Sequence, residues 1–392
     1  MLYVFIALAV ILIATGYYYL KPEKIITKNI FNAEYFRGLN YLLNNEEDKA
    51  FKIFTALMDV DSSTIETHLA LGGLYRKRGE FDKAILIHQN LLSRPTLENE
   101  LKNQALYELA KDFQSAGLYD RSEKIFKNLS EINSYNQSCK EHLLKLYEVT
   151  KDWEKAINVV NTLSSDNVNG NGKITLLSQY YCEISKINFE NSELEKAVAI
   201  SKKALKVDQN CIRANLQLAK YYSKNDVNIS AQYYQLVISQ NIDFAKYISS
   251  KIIELGKKVN SSDVILNTIL SISKMKELPF IPDIYLFLLY EKDEVSAEKY
   301  LNYHKMNNPI TDFVINHTIA LSKPESQSLP VIDNITKSYQ KIFSTSCYFL
   351  CNNCGYKSHV LNWLCPSCNH WNSIVPKSPI DIIEESSNDD QR

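Results

Sequence analysis

Four cysteines near the end of this 392-residue chain have the type and spacing of a metal site. They form two CxxC pairs, Cys351 with Cys354 and Cys365 with Cys368, and ten residues separate the pairs. Two such pairs can place four thiolates in a tetrahedron, which is a coordination that Zn²⁺ or a single iron ion takes. We therefore predict that these four residues bind one metal ion, either iron or zinc.

The residues between and after the cysteines fit such a site. Gly355 and Asn369 each follow the second cysteine of a pair, and both residue types tolerate positive φ, which turns backbone N–H groups towards sulfur. A segment this short does not fold without a metal or a surface to pack on. Three aromatic residues are predicted to form its small core: Tyr356, Trp363 and Trp371.

The other cysteines and the nearby histidines are given no chemical role. Four thiolates leave no vacancy in a tetrahedral site, so Cys347, His359 and His370 are predicted to lie outside the ligand set. Disulfides are disfavoured, because the body is expected to face a reducing cytoplasm. Burial among helices is predicted for the remaining three: Cys139, Cys182 and Cys211.

Composition indicates a helical, nearly neutral protein. The chain has only 10 Gly and 10 Pro, too few for the many turns of an all-β fold. Its 44 basic and 45 acidic residues give a net charge of −1, so the basic excess of a nucleic-acid-binding protein is missing. No nucleophile elbow, HExxH or P-loop motif occurs, and we predict that the protein is not an enzyme.

A repeat of about 34 residues fills residues 30–240 and predicts about six tetratricopeptide helix pairs. Small residues recur at positions 8 and 20 of each repeat, where two helices must cross closely. The matching pairs are Gly38 and Ala50, Gly72 and Ala84, Ala110 and Ser122, Ser185 and Ala197, and Ala219 and Ala231. The fourth repeat keeps Ala156 but has Leu144 at position 8. Stacked helix pairs offer a surface for a peptide or protein partner.

The rest of the chain divides around these repeats. Residues 1–20 carry no charge and are long enough to cross a bilayer, and basic residues follow from Lys21. This pattern predicts a retained transmembrane anchor with a periplasmic N-terminus, rather than a cleaved signal peptide. We expect a juxtamembrane linker at 21–29, degraded repeats or closing helices at 241–345, the metal module at 346–376 and an acidic flexible tail at 377–392.

The order of these parts resembles the lipopolysaccharide assembly protein B family of bacterial inner-membrane proteins. The resemblance lies in LALGGLYRKRGEFDKAILIHQNLLSRPTL (69–97) and in CGYKSHVLNWLCPSCNHWNSIVP (354–376). It implies an all-α tetratricopeptide superhelix with a transmembrane helix and a rubredoxin-type metal module. Residues 160–175 and 240–330 diverge from the family pattern.

The resemblance implies regulation of lipopolysaccharide synthesis at the cytoplasmic face of the inner membrane. The partners it implies are the membrane-bound protease FtsH, the lipid A pathway deacetylase (LpxC) and other lipopolysaccharide assembly proteins, with a homodimer left open. In this hypothesis the module packs against the repeats. The alternative is electron transfer, since a Cys₄ iron site can cycle between Fe(II) and Fe(III), although no flavin or dinucleotide fingerprint accompanies it.

Overall fold

The computed structural model describes most of the chain between residues 33 and 377. The described residues are 33–34, 36–38, 40–41, 44, 46–60, 65–94, 97–163, 167–168, 171–259, 262–273, 281, 284–285, 287–288, 294–304 and 348–377. The predicted anchor, juxtamembrane linker and nearly all of the acidic tail lie outside them, as does Cys347. Within the described ranges, no helix is long and apolar enough to cross a membrane.

The chain forms two compact units, Met1–Lys151 and Asp152–Arg392, and the division falls inside the fourth predicted repeat. In the first unit, helical residues between 33 and 41 precede six helices that pack in succession. Their bounds are α1 Glu47–Val60, α2 Ile65–Lys77, α3 Phe81–Leu92, α4 Asn99–Ser115, α5 Tyr119–Leu129 and α6 Asn136–Thr150.

Helices in the first unit cross where the sequence places small residues. A Cβ atom on Gly72 would clash with the buried His88 ring, so glycine is required where α2 meets α3. Where α4 meets α5, the buried Ser122 hydroxyl donates a hydrogen bond to the Ala110 carbonyl oxygen at 2.8 Å. These contacts confirm that the small residues allow close helix crossings.

A buried polar network joins three helices of the first unit. The Arg76 guanidinium donates to Asp112 at 2.6 Å and to Glu108 at 2.5 Å, and His88 Nδ1 also contacts Asp112. Burial acts to raise the pKa of Glu108, but the hydrogen bond from Lys111 and the charge of Arg76 outweigh it and lower that pKa. The network therefore holds the carboxylate of Glu108 in its charged form.

The second unit continues the helical repeat and ends in a small sheet. Its helices are α7 Trp153–Thr162, α8 Lys173–Glu190, α9 Leu194–Val207, α10 Ile212–Tyr222, α11 Val227–Gln240, α12 Ala245–Val259, α13 Ser262–Ser273 and α14 Glu294–His304, with one turn of 3-10 helix at Ile242–Phe244. Short strands β1 (Asn167–Val168) and β2 (Asn171–Gly172) pair between α7 and α8.

The turn inside each helix pair repeats with the predicted register. Residue 15 of four successive repeats has a positive φ: 78° at Gly79, 76° at Gly117, 58° at Lys151 and 64° at Ser192. Glycine adopts this left-handed conformation freely, whereas a residue with a Cβ is strained there by about 1 kcal/mol or more. Geometry set by the flanking helices thus overrides residue preference at Lys151 and Ser192.

The C-terminal sheet of the second unit has three antiparallel strands in the order β4–β3–β5. Strand β3 spans Tyr348–Cys351, β4 spans Lys357–Ser358 and β5 spans Ile374–Lys377. Cys351 pairs with Ile374 in the β3–β5 ladder, so the first predicted ligand lies at the end of a central strand. The mostly helical, tetratricopeptide-like fold with a small cysteine-rich module is confirmed, and the exact domain boundaries stay predictions.

Candidate metal centre

The structure brings the sulfur atoms of Cys351, Cys354, Cys365 and Cys368 together within 4.8 Å of one another. Two separations within this group are 3.7 Å, one between Cys351 and Cys368 and one between Cys354 and Cys365. A tetrahedron with Zn–S bonds of about 2.3 Å has sulfur–sulfur edges of about 3.8 Å. Two of the six separations therefore match the edge of such a tetrahedron, and the remaining four are at most 4.8 Å.

Two matching turns hold the sulfurs in place. In the first turn, the Cys351 N–H donates to the Tyr356 carbonyl and the Gly355 N–H donates back to the Cys351 carbonyl. In the second turn, the Cys365 N–H donates to the His370 carbonyl and the Asn369 N–H donates back to the Cys365 carbonyl. Gly355 and Asn369 have φ values of 73° and 54°, which confirms the positive φ that the sequence predicts at both places.

The thiols of Cys351, Cys365 and Cys368 differ in how readily they lose a proton. A hydrogen bond from the Asn353 side chain lowers the pKa of Cys368 to about 6, whereas burial raises the pKa of Cys365 to about 11. Burial also acts to raise the pKa of Cys351, but hydrogen bonds from Ser373 and from backbone N–H groups outweigh it and lower that pKa. A bound cation would favour the thiolate at every position, because thiolate is the ligand form.

Neither histidine near the site belongs to the candidate ligand set. His370 Nδ1 lies 2.9 Å from the Cys368 carbonyl oxygen and 3.2 Å from the Asn353 side-chain nitrogen. The hydrogen bond to that carbonyl raises the pKa of His370. His359 is exposed on the loop after β4. The candidate ligand set found among the described residues consists of the four cysteines.

The module packs against helices of its own unit through two tryptophans. Trp371 makes edge-to-face contacts with Trp153 of α7 at 6.1 Å and with Tyr180 of α8 at 5.9 Å between ring centroids. Trp363 lies parallel to Phe244, with an interplanar angle of 3°. Packing of the module on the repeats is thus confirmed, but these two tryptophans face the helices instead of forming a core inside the module.

Arg213 of α10 lies at the centre of this interface, although the sequence analysis gave it no role. Its guanidinium carbon is 5.8 Å from the Trp363 ring and 5.9 Å from the Trp371 ring. It also donates to Glu183 at 2.7 Å and to Gln179 at 3.3 Å. We call the surface formed by Trp153, Tyr180, Arg213 and Phe244 the module seat. The signal in the sequence is an arginine on the apolar face of a helix.

Comparisons with known proteins agree with this architecture. Residues 349–376 match the family described as the rubredoxin metal binding domain, and residues 67–101 match a tetratricopeptide repeat. Lipopolysaccharide assembly protein B of Haemophilus influenzae is 30% identical over 378 residues, which cover 91% of this chain and 93% of the relative. The chain belongs to the lipopolysaccharide assembly protein B family.

The Escherichia coli K12 member of the lipopolysaccharide assembly protein B family is 27% identical to this chain over 365 residues, covering 90% of the chain and 91% of that protein. Among solved structures, the C-terminal part of a TPR repeat-containing protein from Cytophaga hutchinsonii aligns with a TM-score of 0.38 at 12% identity. It covers 71% of this chain and 97% of its own.

Proposed function

We propose that this protein is a membrane-anchored adaptor in lipopolysaccharide assembly, without catalytic activity of its own. The observation that carries the proposal is the module seat, which makes the metal module an integral part of the repeat unit. Membership of the family supports a role in lipopolysaccharide assembly, and tetratricopeptide repeats commonly bind protein partners.

In this proposal the four cysteines bind one ion whose role is structural. The module of about 30 residues has little core of its own, because its two tryptophans pack outwards on the helices. A bound metal, iron or zinc, fixes the two cysteine turns and so presents Trp363 and Trp371 to the seat. Metal analysis of the purified full chain, together with the visible absorption of an Fe(III)–thiolate site, distinguishes the two ions.

The proposal also specifies the membrane orientation of the protein and its partners. We propose that residues 1–20 anchor the chain with its body in the cytoplasm, where it presents the lipid A pathway deacetylase to the protease FtsH or gathers lipopolysaccharide enzymes. A reporter enzyme fused after Arg392 tests the orientation. Activity of the reporter in the cytoplasm is expected, and activity only outside it would refute the orientation.

Affinity capture of the full chain from membranes tests the adaptor role. The native chain should recover the protease and the deacetylase, and the cellular level of the deacetylase should be low. A chain with Cys351→Ser and Cys354→Ser should lose this regulation while its repeats stay helical. Cys139→Ser is the matched control, since Cys139 is buried in α6 of the first unit and is not among the candidate ligands.

Three results would contradict the proposal. One is an unchanged deacetylase level in the double variant. Another is capture of a reductase in place of the protease, which would favour electron transfer. The third is equal loss of regulation in the Cys139→Ser control, which would mean that the metal site has no special part in it.

A further inference from the structure

Two buried cysteines outside the metal module lie side by side beneath the module seat. The Cys182 sulfur on α8 is 3.9 Å from the sulfur of Cys211, the residue that precedes α10. Both residues are completely buried. This separation is close to the 3.7 Å between paired sulfurs of the candidate metal centre, yet among the described residues only two sulfurs meet here.

The surroundings of the pair make its two sulfurs unequal. The hydrogen bond from the Cys182 thiol is the main cause that lowers the pKa of Cys211, to about 7, despite its burial. Its place at the N-terminus of α10 also favours a negative charge. Burial raises the pKa of Cys182. Cys211 is therefore the sulfur of the pair that more readily becomes a thiolate.

One side chain links this pair to the module seat. Gln179 donates from Nε2 to the Cys211 sulfur at 3.7 Å, and its Oε1 accepts a hydrogen bond from Arg213 at 3.3 Å. Arg213 in turn lies against Trp363 and Trp371. The side chains of Gln179 and Arg213 therefore connect the Cys211 sulfur to the two tryptophans by direct contacts.

We propose that Cys182 and Cys211 are a peroxide-reactive dithiol, and that its oxidation changes how the metal module sits on the repeats. The Cys211 thiolate attacks one oxygen of a small peroxide, which breaks the O–O bond and yields a sulfenic acid and hydroxide. The Cys182 sulfur then attacks the Cys211 sulfur, and water leaves with the Cys182 proton. The peroxide is reduced by two electrons, and the two thiols are oxidised to one disulfide.

The disulfide requires a local rearrangement. A disulfide bond is about 2.05 Å long, so the two sulfurs must approach by about 1.9 Å from their present separation. Cys211 also loses its charge and becomes a weaker acceptor for Gln179. The approach of α8 and α10 and the altered Gln179 contact both act on Arg213. This inference does not depend on which partners the repeats hold.

The test uses the metal-loaded full chain treated with hydrogen peroxide at pH 7. Catalase stops the reaction, and unreacted thiols are alkylated under denaturing conditions before peptide mass spectrometry without reduction. The peptide joining Cys182 to Cys211 should appear at least about tenfold faster than oxidation of Cys139, because burial raises the pKa of Cys139 to about 11. The rate should be half-maximal near pH 7.

Single variants assign the two roles. Cys182→Ser should stop at a sulfenic acid on Cys211, which dimedone traps, and Cys211→Ser should leave Cys182 unmodified. Equal oxidation of Cys139 and Cys211, or dimedone on Cys182 in the Cys211→Ser chain, would overturn the proposal. Circular dichroism and metal content confirm that each variant keeps its fold.

A separate readout tests the effect on the module. The three tryptophans of the chain, Trp153, Trp363 and Trp371, all lie at the seat, so their emission reports its packing. Peroxide should shift this emission in the native chain, and dithiothreitol should reverse the shift. An equal shift in Cys211→Ser would mean that the module cysteines cause it, and would refute the coupling.

Discussion

Replacing Arg213 with methionine should loosen the metal module without unfolding the helices. The substitution keeps most of the aliphatic volume but removes the ion pair with Glu183, whose side chain is 20% exposed while that of Arg213 is only 4% exposed. It also removes the cation from between Trp363 and Trp371. The variant thus isolates the contribution of the guanidinium to the module seat.

The size of the effect follows from these contacts. Breaking a buried ion pair costs about 3–5 kcal/mol, and the partial exposure of Glu183 reduces this to about 2 kcal/mol. Each cation–π contact contributes about 0.5–1 kcal/mol, and the contributions overlap. The ion pair joins α10 to α8, so only the cation–π contacts cross from Arg213 to the module, and we expect its packing to weaken by about 1.4 kcal/mol, or about tenfold.

Intrinsic fluorescence measures this loss directly, because all three tryptophans of the chain lie at the seat. Arg213→Met should shift the emission to longer wavelength while far-ultraviolet circular dichroism stays unchanged. The matched control is Arg76→Met, which breaks a similar buried ion pair in the first unit, where no tryptophan occurs. Unchanged emission in Arg213→Met, or the same shift in both variants, would refute the reasoning.

Three further predictions concern the helices. Ser192→Gly should raise the free energy of unfolding by about 0.5 kcal/mol, seen as a higher melting temperature, because relief of positive φ slightly exceeds the entropy cost of glycine. Gly72→Ala should lower it by about 2 kcal/mol in urea titrations through the clash with His88, whereas neighbouring Gly73→Ala, with 3.7 Å of clearance, should not. Because the pKa of Glu108 is lowered, its carboxylate stabilises the fold fully above the ordinary pKa of glutamate. This stabilisation is lost as the pH falls through the lowered pKa, so the stability of Glu108→Gln should fall less steeply in acid than that of the native chain.

The sequence predicts the repeat register because close helix crossings require small residues. Ser122 and Gly72 occupy such crossings as expected. The same pattern does not reveal that Lys151 and Ser192 adopt positive φ, since neither residue type favours it. Only the flanking helices, which fix the turn, impose that conformation.

The sequence predicts the cysteine turns of the candidate metal centre better than it predicts how the module packs on the helices. The four cysteines and the turn residues Gly355 and Asn369 follow from local spacing, because each turn is closed by its own backbone hydrogen bonds. The outward packing of Trp363 and Trp371 does not, since it depends on helices more than 100 residues away in the sequence. The role of Arg213 is not predictable either, because its contact with Trp363 also joins residues far apart in the sequence.

With a metal bound as proposed, metal binding and packing of the module form one linked equilibrium. The metal would hold the cysteine turns, the turns would present the tryptophans, and the seat would stabilise only the folded module. The factor by which packing strengthens metal binding must equal the factor by which the metal strengthens packing. Arg213→Met should therefore release its metal at a chelator concentration up to about tenfold lower than the native chain requires. Equal retention by Arg213→Met and the native chain, alongside a shifted tryptophan emission, would show that the module keeps its fold without the seat and that the two processes are independent.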